Sequence, residues 1–380
     1  LVFHDQILGP AYLDRVLRVD RPLLPSAIGG TIDGSFGGRL AAPGDRLLVR
    51  DPSGAAIDLD PPPGWPGPTG TIDLDRPLAS GAPGGWRNEV KGLTWRDDLG
   101  GMGAGFAAAL GGRLVHALGA DDDPTSLRVG SLLERYEIRS TPIRVPDRPA
   151  DWTLIVTSGG HGDKLAIGFR GCHQALDATD LPRKPRPAAI RVAAAVANDL
   201  MGVWLGTGRC QVRLCAPAMR NMLDRDRPLA AIAGSIDVLA CNRREWEALT
   251  PPDRKVLADR VPIVSLTDGP SGCRILYRDR DARPVGFAMS AFPRTHPPRD
   301  TNRAGEAFAA RLVATLVDAE WTRGPFDRDL LEYAALRASA AAALVLDLER
   351  FGFPTTAQVD RALAAGVVEG VPPPPVAGDR

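Results

Sequence analysis

The segment Asp300-Thr301-Asn302-Arg303-Ala304-Gly305-Glu306-Ala307-Phe308 turns from a polar loop into a helix and carries a carboxylate at the turn. An apolar run follows at Ala309, Ala310, Leu312, Val313 and Leu316. A helix start leaves backbone N–H groups unpaired and holds a partial positive charge, so it suits a phosphate. A carboxylate beside it can accept the proton of an attacking hydroxyl. The ordinary alternative is a capped helix, with Asp300 or Thr301 as cap and Glu306 favoured by the helix dipole.

The rest of the chain narrows the choice. At 380 residues it can bury the core of one large domain or two. It carries 46 basic and 46 acidic residues. That balance gives no electrostatic reason to expect nucleic acid or an anionic membrane as partner. Lys91, Lys164, Lys184 and Lys255 are the only lysines, and none follows a G-x-x-x-x-G spacing. A Walker-type phosphate loop is therefore excluded. The five cysteines, Cys172, Cys210, Cys215, Cys241 and Cys273, form no C-x-x-C pair. An odd, scattered set fits a reduced cytoplasm better than a disulfide framework or a zinc site. The sequence contains no apolar run of about 18 residues and no basic-then-apolar leader. A start at Leu1 rather than Met points to a trimmed or processed beginning.

Two strands are expected over 6–19, broken at Gly9-Pro10. From 26 to 97 glycine and proline become dense, as in Pro61-Pro62-Pro63-Gly64-Trp65-Pro66-Gly67-Pro68, with short strand segments at Arg46–Val49 and Ile57–Leu59. This reads as a β-rich insertion or lid. Beyond 98, strand and helix patterns alternate. Helices are expected at Gly103–Leu110, Ala188–Leu200, Arg243–Leu249, Ala304–Val317, Asp329–Leu348 and Thr356–Ala364. Strands are expected at Leu114–Leu118, Val212–Cys215, Ile236–Ala240 and Ile263–Thr267. A further pair, Asp151–Val156 and Lys164–Phe169, flanks a turn at Gly159–Gly162. The alternation predicts an α/β fold with a mostly parallel sheet covered by helices on both faces. The end, including Pro372–Pro375, reads as a disordered tail over 366–380.

Five landmarks stand in one order along the chain. Gly9…Asp14 leads into Arg15-Val16-Leu17-Arg18-Val19-Asp20. Gly100-Gly101-Met102-Gly103-Ala104-Gly105-Phe106-Ala107 is followed by Ala117-Leu118-Gly119-Ala120-Asp121. Then come Asn242-Arg243-Arg244-Glu245, Thr267-Asp268-Gly269-Pro270-Ser271-Gly272, and the 300–306 turn. In that order they resemble the ribokinase-like (PfkB) family of sugar and nucleoside kinases. The family's signatures are an opening strand pair, a glycine-rich substrate helix, N-x-x-E, T-x-G-x-x-G and D-T-x-G-A-G-D. The resemblance covers roughly 1–25 and 98–365, and the 26–97 insertion, longer than usual, stands where the family has its lid.

The resemblance implies a role for each position. Asp14, Gly100, Gly101, Gly105 and Asp300 would meet the acceptor substrate. Asn242, Thr267, Gly269 and Gly272 would meet ATP, and Glu245 would organise Mg²⁺ and its waters. Glu306 would be the general base, with the N–H groups of Ala304, Gly305 and Glu306 around the transferring phosphoryl and Arg303 as an extra clamp. The implied partner is a sugar or nucleoside-like small molecule, and lids that pair between subunits would give a homodimer. Of two other residues, His296 reads as a surface histidine and Arg170 as a solvated arginine that could reach a substrate.

The motif departs from the family pattern. Glu306 replaces an Asp and adds about 1.5 Å of reach, and a misplacement of that size can cost ~100-fold in rate. Arg303 replaces a Gly that permits φ > 0 and leaves room for phosphate. Gly105 replaces a substrate-binding Asn, and Met102 a polar residue. These changes make the substrate helix more apolar, which suggests an acceptor with an apolar or aromatic portion. The sequence therefore predicts an ATP- and Mg²⁺-dependent kinase. Its rival is a non-catalytic ligand-binding protein on the same fold.

Overall fold

The computed structural model describes residues 5–19, 47–50, 56–59, 71–73, 92–158, 164–182, 186–279, 281, 283–321 and 326–369. Most of the 26–97 insertion with its proline run, the 159–162 turn and the tail beyond 369 lie outside the described residues. The strands, in chain order, are β1 (Gln6–Leu8), β2 (Tyr12–Val19), β3 (Leu47–Arg50), β4 (Ala56–Leu59), β5 (Thr71–Asp73), β6 (Gly92–Gly100), β7 (Arg113–Leu118) and β8 (Ser140–Arg144). They continue with β9 (Trp152–Ser158), β10 (Lys164–Phe169), β11 (Ala188–Ala194), β12 (Cys210–Ala216), β13 (Val238–Asn242), β14 (Ile263–Thr267), β15 (Cys273–Arg278) and β16 (Pro284–Met289). The helices are α1 (Met102–Leu110), α2 (Pro124–Arg135), α3 (Asn198–Gly206), α4 (Met219–Leu223), α5 (Arg243–Ala248), α6 (Pro251–Arg260), α7 (Ala304–Asp318), α8 (Arg328–Val345) and α9 (Thr356–Ala365).

The chain divides into two compact units. The larger comprises Leu1–Tyr12, Leu99–Ala150 and Gly171–Arg380. Its sheet has the order β16-β15-β14-β13-β12-β11-β1-β7-β8. From β8 to β14 every pairing is parallel, and β15 and β16 add an antiparallel edge.

The register explains how this sheet is buried. Val115, Leu8, Ala193, Cys215, Leu239 and Val264 are successive partners across six strands, and all belong to one core cluster with Leu200, Met201 and Trp204 of α3. One residue earlier on each strand, Leu114, Ile7, Val192, Leu214, Val238 and Ile263 form a second buried row. Side chains alternate along a strand, so the two rows face opposite sides of the sheet. Helix α3 packs on the first side, and α1 and α7 pack against the same strands to cover the second. A parallel sheet buried on both faces has continuous apolar strands, as seen here.

The fold class is therefore as the sequence predicts, but one element is not. Ala188–Leu200 is not a helix. Its first half is β11, between β1 and β12, and only Asn198 onward is helical. Alanine favours a helix in isolation. Here Ala193 and Ala194, wholly buried, provide the low profile that a central strand needs beneath packed helices. Helices α2 and α6, strand β8 and the β15–β16 edge also go beyond the sequence expectations.

The smaller unit comprises Leu13–Asp98 and Asp151–Arg170. One of its sheets runs β10-β9-β2-β6, and another runs β4-β3-β5. The expected pair around 159–162 is present as β9 and β10, antiparallel, with β2 parallel to β9. Within this unit the Arg15 guanidinium lies 4.7 Å from the centre of the Trp152 ring.

Candidate functional site

In open parallel sheets, binding residues gather beyond the carboxyl ends of the strands. In the larger unit several candidate residues occupy such ends. Asn242 closes β13 and is the register partner of Thr267, which closes β14. Asn242 also caps α5. Its side chain accepts the Glu245 N–H at 2.9 Å, and Glu245 Oε2 accepts the Asn242 N–H at 2.8 Å. The N-x-x-E spacing thus builds a capping box. Asn242 is exposed at the strand end and Glu245 is half-buried beside it.

Beside them the 267–272 turn is closed by its own backbone, with Asp268 N–H to Gly272 O at 2.8 Å. Arg243 of α5 joins it through a 3.0 Å ion pair with Asp268. Gly272 has φ +92°, and a Cβ there would stand 2.0 Å from the Met289 carbonyl oxygen, so only glycine fits.

Helix α1 starts against the end of β1. Ala104 N–H donates to Pro10 O at 3.1 Å. Gly101 precedes the helix at φ +96°, where a Cβ would meet Pro10 O at 2.4 Å. Gly100 is the last residue of β6. Gly105 lies on the face of α1 that meets α7, against Glu306.

The 300–306 turn is built differently from what the sequence suggested. Arg303 adopts the left-handed conformation, φ 69° and ψ −1°, immediately before α7. The backbone shape a glycine would provide is therefore kept by an arginine. No side chain caps this helix start among the described residues, and Glu306 lies in its first turn. The Asp300 carboxylate accepts the Asn302 N–H at 2.8 Å and shapes the loop.

The arginine's side chain turns toward the end of α8. Its Nη2 donates to Asp300 Oδ2 at 3.2 Å and to the Leu348 carbonyl at 3.0 Å. Two more arginines do the same along the preceding segment. Arg294 bonds to the Ala343 carbonyl and the Asp347 carboxylate, and Arg299 bonds to Glu349 at 3.4 Å. The Arg299 and Asp300 N–H groups both donate to Leu346 O. A helix C-terminus leaves carbonyls unpaired and carries partial negative charge. The Arg294 guanidinium and two backbone donors answer that charge, while Arg303 and Arg299 bond to Leu348 O and the Glu349 carboxylate just beyond the helix and hold the turn in place.

Asp14 is half-buried in β2 of the smaller unit, opposite Thr153 in the register. Arg170 of that unit donates to Trp152 O at 3.1 Å and to Thr153 Oγ1 at 3.3 Å. His296 is partly buried, with Nδ1 2.8 Å from Thr295 Oγ1.

A feature absent from the sequence reading borders the ends of β11 and β12. Ala195 has φ 46°, and its carbonyl accepts a bond from Arg220. Buried Asn198 and Asn221 join the two loops, with Asn221 Nδ2 to Asn198 Oδ1 at 2.9 Å and Asn198 Nδ2 to Asn221 O at 2.9 Å. An asparagine just after an apolar strand was the only sequence signal for this pair.

No protein-family model and no curated protein matches the sequence. Solved structures do match. The ribokinase from Giardia lamblia is 17% identical, with a TM-score of 0.62 over 96% of this chain and 99% of that one. The nucleoside kinase from Burkholderia thailandensis, in complex with inosine, is 16% identical, with a TM-score of 0.60 over 95% and 98%. The ribokinase from Arabidopsis thaliana, complexed with ribose and ATP, is 15% identical, with a TM-score of 0.55 over 96% and 99%. Likeness of this extent, together with the parallel sheet and the helices on its faces, shows that the chain has the ribokinase-like fold.

Proposed function

We propose that the chain is an ATP-dependent kinase that phosphorylates a hydroxyl, in particular a hydroxymethyl group, on a sugar or nucleoside-like molecule. The observation that carries this reading is the start of α7, where an uncapped helix N-terminus follows a left-handed turn and holds Glu306 in its first turn. The N–H groups of Ala304, Gly305 and Glu306 offer preorganised donors for a phosphoryl group. Glu306 takes the proton of the acceptor hydroxyl.

ATP and Mg²⁺, when bound, supply the transferable phosphoryl and the charge that neutralises it. The 267–272 turn is a tight glycine turn beside the ends of β13 and β14, and no protein atom stands within 4 Å of where a Cβ at Gly269 would lie, which leaves that side open to a nucleotide. Glu245 suits Mg²⁺ as a single half-buried carboxylate, since this ion keeps several waters. By resemblance, Asn242 and Thr267 contact the nucleotide. Asp14, Gly100, Gly101, Gly105 and Asp300 contact the acceptor, and the 26–97 region acts as a lid that excludes water. A homodimer through that lid and a cytoplasmic location complete the proposal. Among the described residues no helix is long and apolar enough to cross a membrane.

A second reading, a ligand-binding protein without turnover, draws support from the Arg303–Asp300 pair, which engages two residues of the motif with each other. Mg·ATP consumption against a panel of sugars and nucleosides separates the two. The kinase reading expects turnover with at least one acceptor and its loss in Glu306→Gln. Tight acceptor binding with no turnover by the wild type would overturn it.

A further inference from the structure

Gly105 and Glu306 depart from the family pattern at two distant points of the sequence, yet they meet. A Cβ at Gly105 would stand 3.3 Å from Glu306 Cγ, 3.5 Å from its Cβ and 3.3 Å from Phe353 Cζ. Carbon contacts are optimal at about 3.5–4.0 Å, so a methyl group there already crowds both neighbours. The longer amide side chain of an asparagine would reach further into the same space. The Glu306 stem therefore lies over a position with no side chain, and the Phe353 ring bounds the same point. That ring is itself held: Phe353 meets Phe351 edge-on at 5.8 Å, and Phe351 packs on Tyr136 at 4.9 Å. Aromatic contacts of this kind fix ring positions.

We propose that Gly105 and Phe353 are positioning residues that set the reach of Glu306, so that the extra methylene of Glu is accommodated by the missing side chain at 105. The proposal rests on the reading of Glu306 as the general base. Its chemical consequence is a substrate helix that offers the acceptor no amide at this point and an aromatic wall nearby. The two departures then form one compensated change.

The test is a double-mutant cycle on kcat, with thermal unfolding of each variant as the check on folding. Gly105→Ala gains helix propensity, which opposes the crowding of Glu306 and Phe353, so the midpoint of unfolding should stay within a few degrees of the wild type. It should still lower kcat by about 10-fold, since a displacement of the carboxylate well below 1 Å is felt in rate. Glu306→Asp alone should cost ~100-fold. With Asp at 306 the Cγ becomes the carboxyl carbon and the carboxylate is already withdrawn from the acceptor by one methylene, so a further displacement by Gly105→Ala should cost about twofold or less, the non-additivity expected of residues in contact. Phe353→Ala should lower kcat with KM for ATP unchanged, and Phe353→Leu should restore most of it. Additive effects of the Gly105 and Glu306 changes, or an unchanged kcat in Gly105→Ala, would overturn the proposal while leaving the base assignment intact. Full turnover in Glu306→Gln, or none in the wild type with any acceptor, would overturn the base assignment and this proposal with it.

Discussion

Replacing Arg303 by glycine puts two opposing effects in one substitution. The residue sits at φ 69°, a conformation that costs a non-glycine residue about 1–2 kcal/mol. Glycine relieves that cost. Against it stands the guanidinium, which bonds to Asp300 at 3.2 Å and to the Leu348 carbonyl at 3.0 Å. The two side chains are only 11% and 18% exposed. Hydrogen bonds to a charged group contribute about 1.5–3 kcal/mol, and removal of one partner leaves the other desolvated. Loss of the partner of a fully buried carboxylate costs roughly 3–5 kcal/mol, which is discounted here for the remaining exposure. The net expectation for Arg303→Gly is a loss of about 1–2 kcal/mol, or a drop in Tm of ~1–3 °C for a chain of this size. Arg303→Ala keeps the strain and loses the bonds, so it should fall below the glycine variant by about 1 kcal/mol. Thermal unfolding of the three proteins in one buffer reads both differences. A glycine variant as stable as the wild type would refute the account, because the arginine would then be tolerated rather than used.

Two further outcomes follow from buried groups and tight turns. His116 is wholly buried in β7, and among the described residues neither of its ring nitrogens has a hydrogen-bond partner, so burial pushes its pKa down to about 3 from the ordinary 6.5. The unfolded chain takes up the proton first, so stability is full above pH 6.5 and falls as pH drops toward 3, by roughly 2 kcal/mol on reaching pH 5. Asp5, raised by burial to about 6, opposes this, since its contribution is present below pH 3.8 and is lost as pH rises through 6. His116→Leu should flatten the acid limb of a urea-denaturation series between pH 7 and 5, and an unchanged slope would refute the assignment. Gly272→Ala places a methyl group 2.0 Å from a backbone oxygen at φ +92°. It should weaken ATP binding more than 10-fold, read by calorimetric titration, because a 1 Å shift of the turn misplaces its donors. Wild-type affinity in that variant would remove the 267–272 turn from the nucleotide site.

The sequence was most legible where structure is set locally. Ile263–Thr267 is a buried run ended by turn residues, and it forms a strand over those same residues. The starts of α7 and α5 follow from a loop-to-helix change and from Asn242 three residues before Glu245. Helix α6 was less legible because its face is weakly apolar and only Leu257 is fully buried. Its start signals, Thr250 and Pro251, are local and were available. Strand β11 could not be read from propensity, because an alanine run is helical until a sheet claims it. The meeting of Gly105 with Glu306 and Phe353 depends on how α1 packs against α7, which no local pattern encodes.

The destination of Arg303 shows the same limit and also explains why the motif keeps its shape. Read along the chain, the arginine either clamps a phosphate or obstructs its site. Read in the fold, it stands beside the carbonyls that follow α8, with Arg294 and Arg299 engaged at the same end. Helix C-termini attract cations, and each such contact is worth about 0.3–1 kcal/mol even when exposed. That attraction, with the Asp300 bond, is of the right size to offset the cost of the left-handed backbone. The N–H groups of Ala304, Gly305 and Glu306 then point from a turn of glycine-like shape without a glycine. An arginine at this position therefore ties the turn before α7 to the segment after α8 and keeps the left-handed shape of the proposed phosphoryl site.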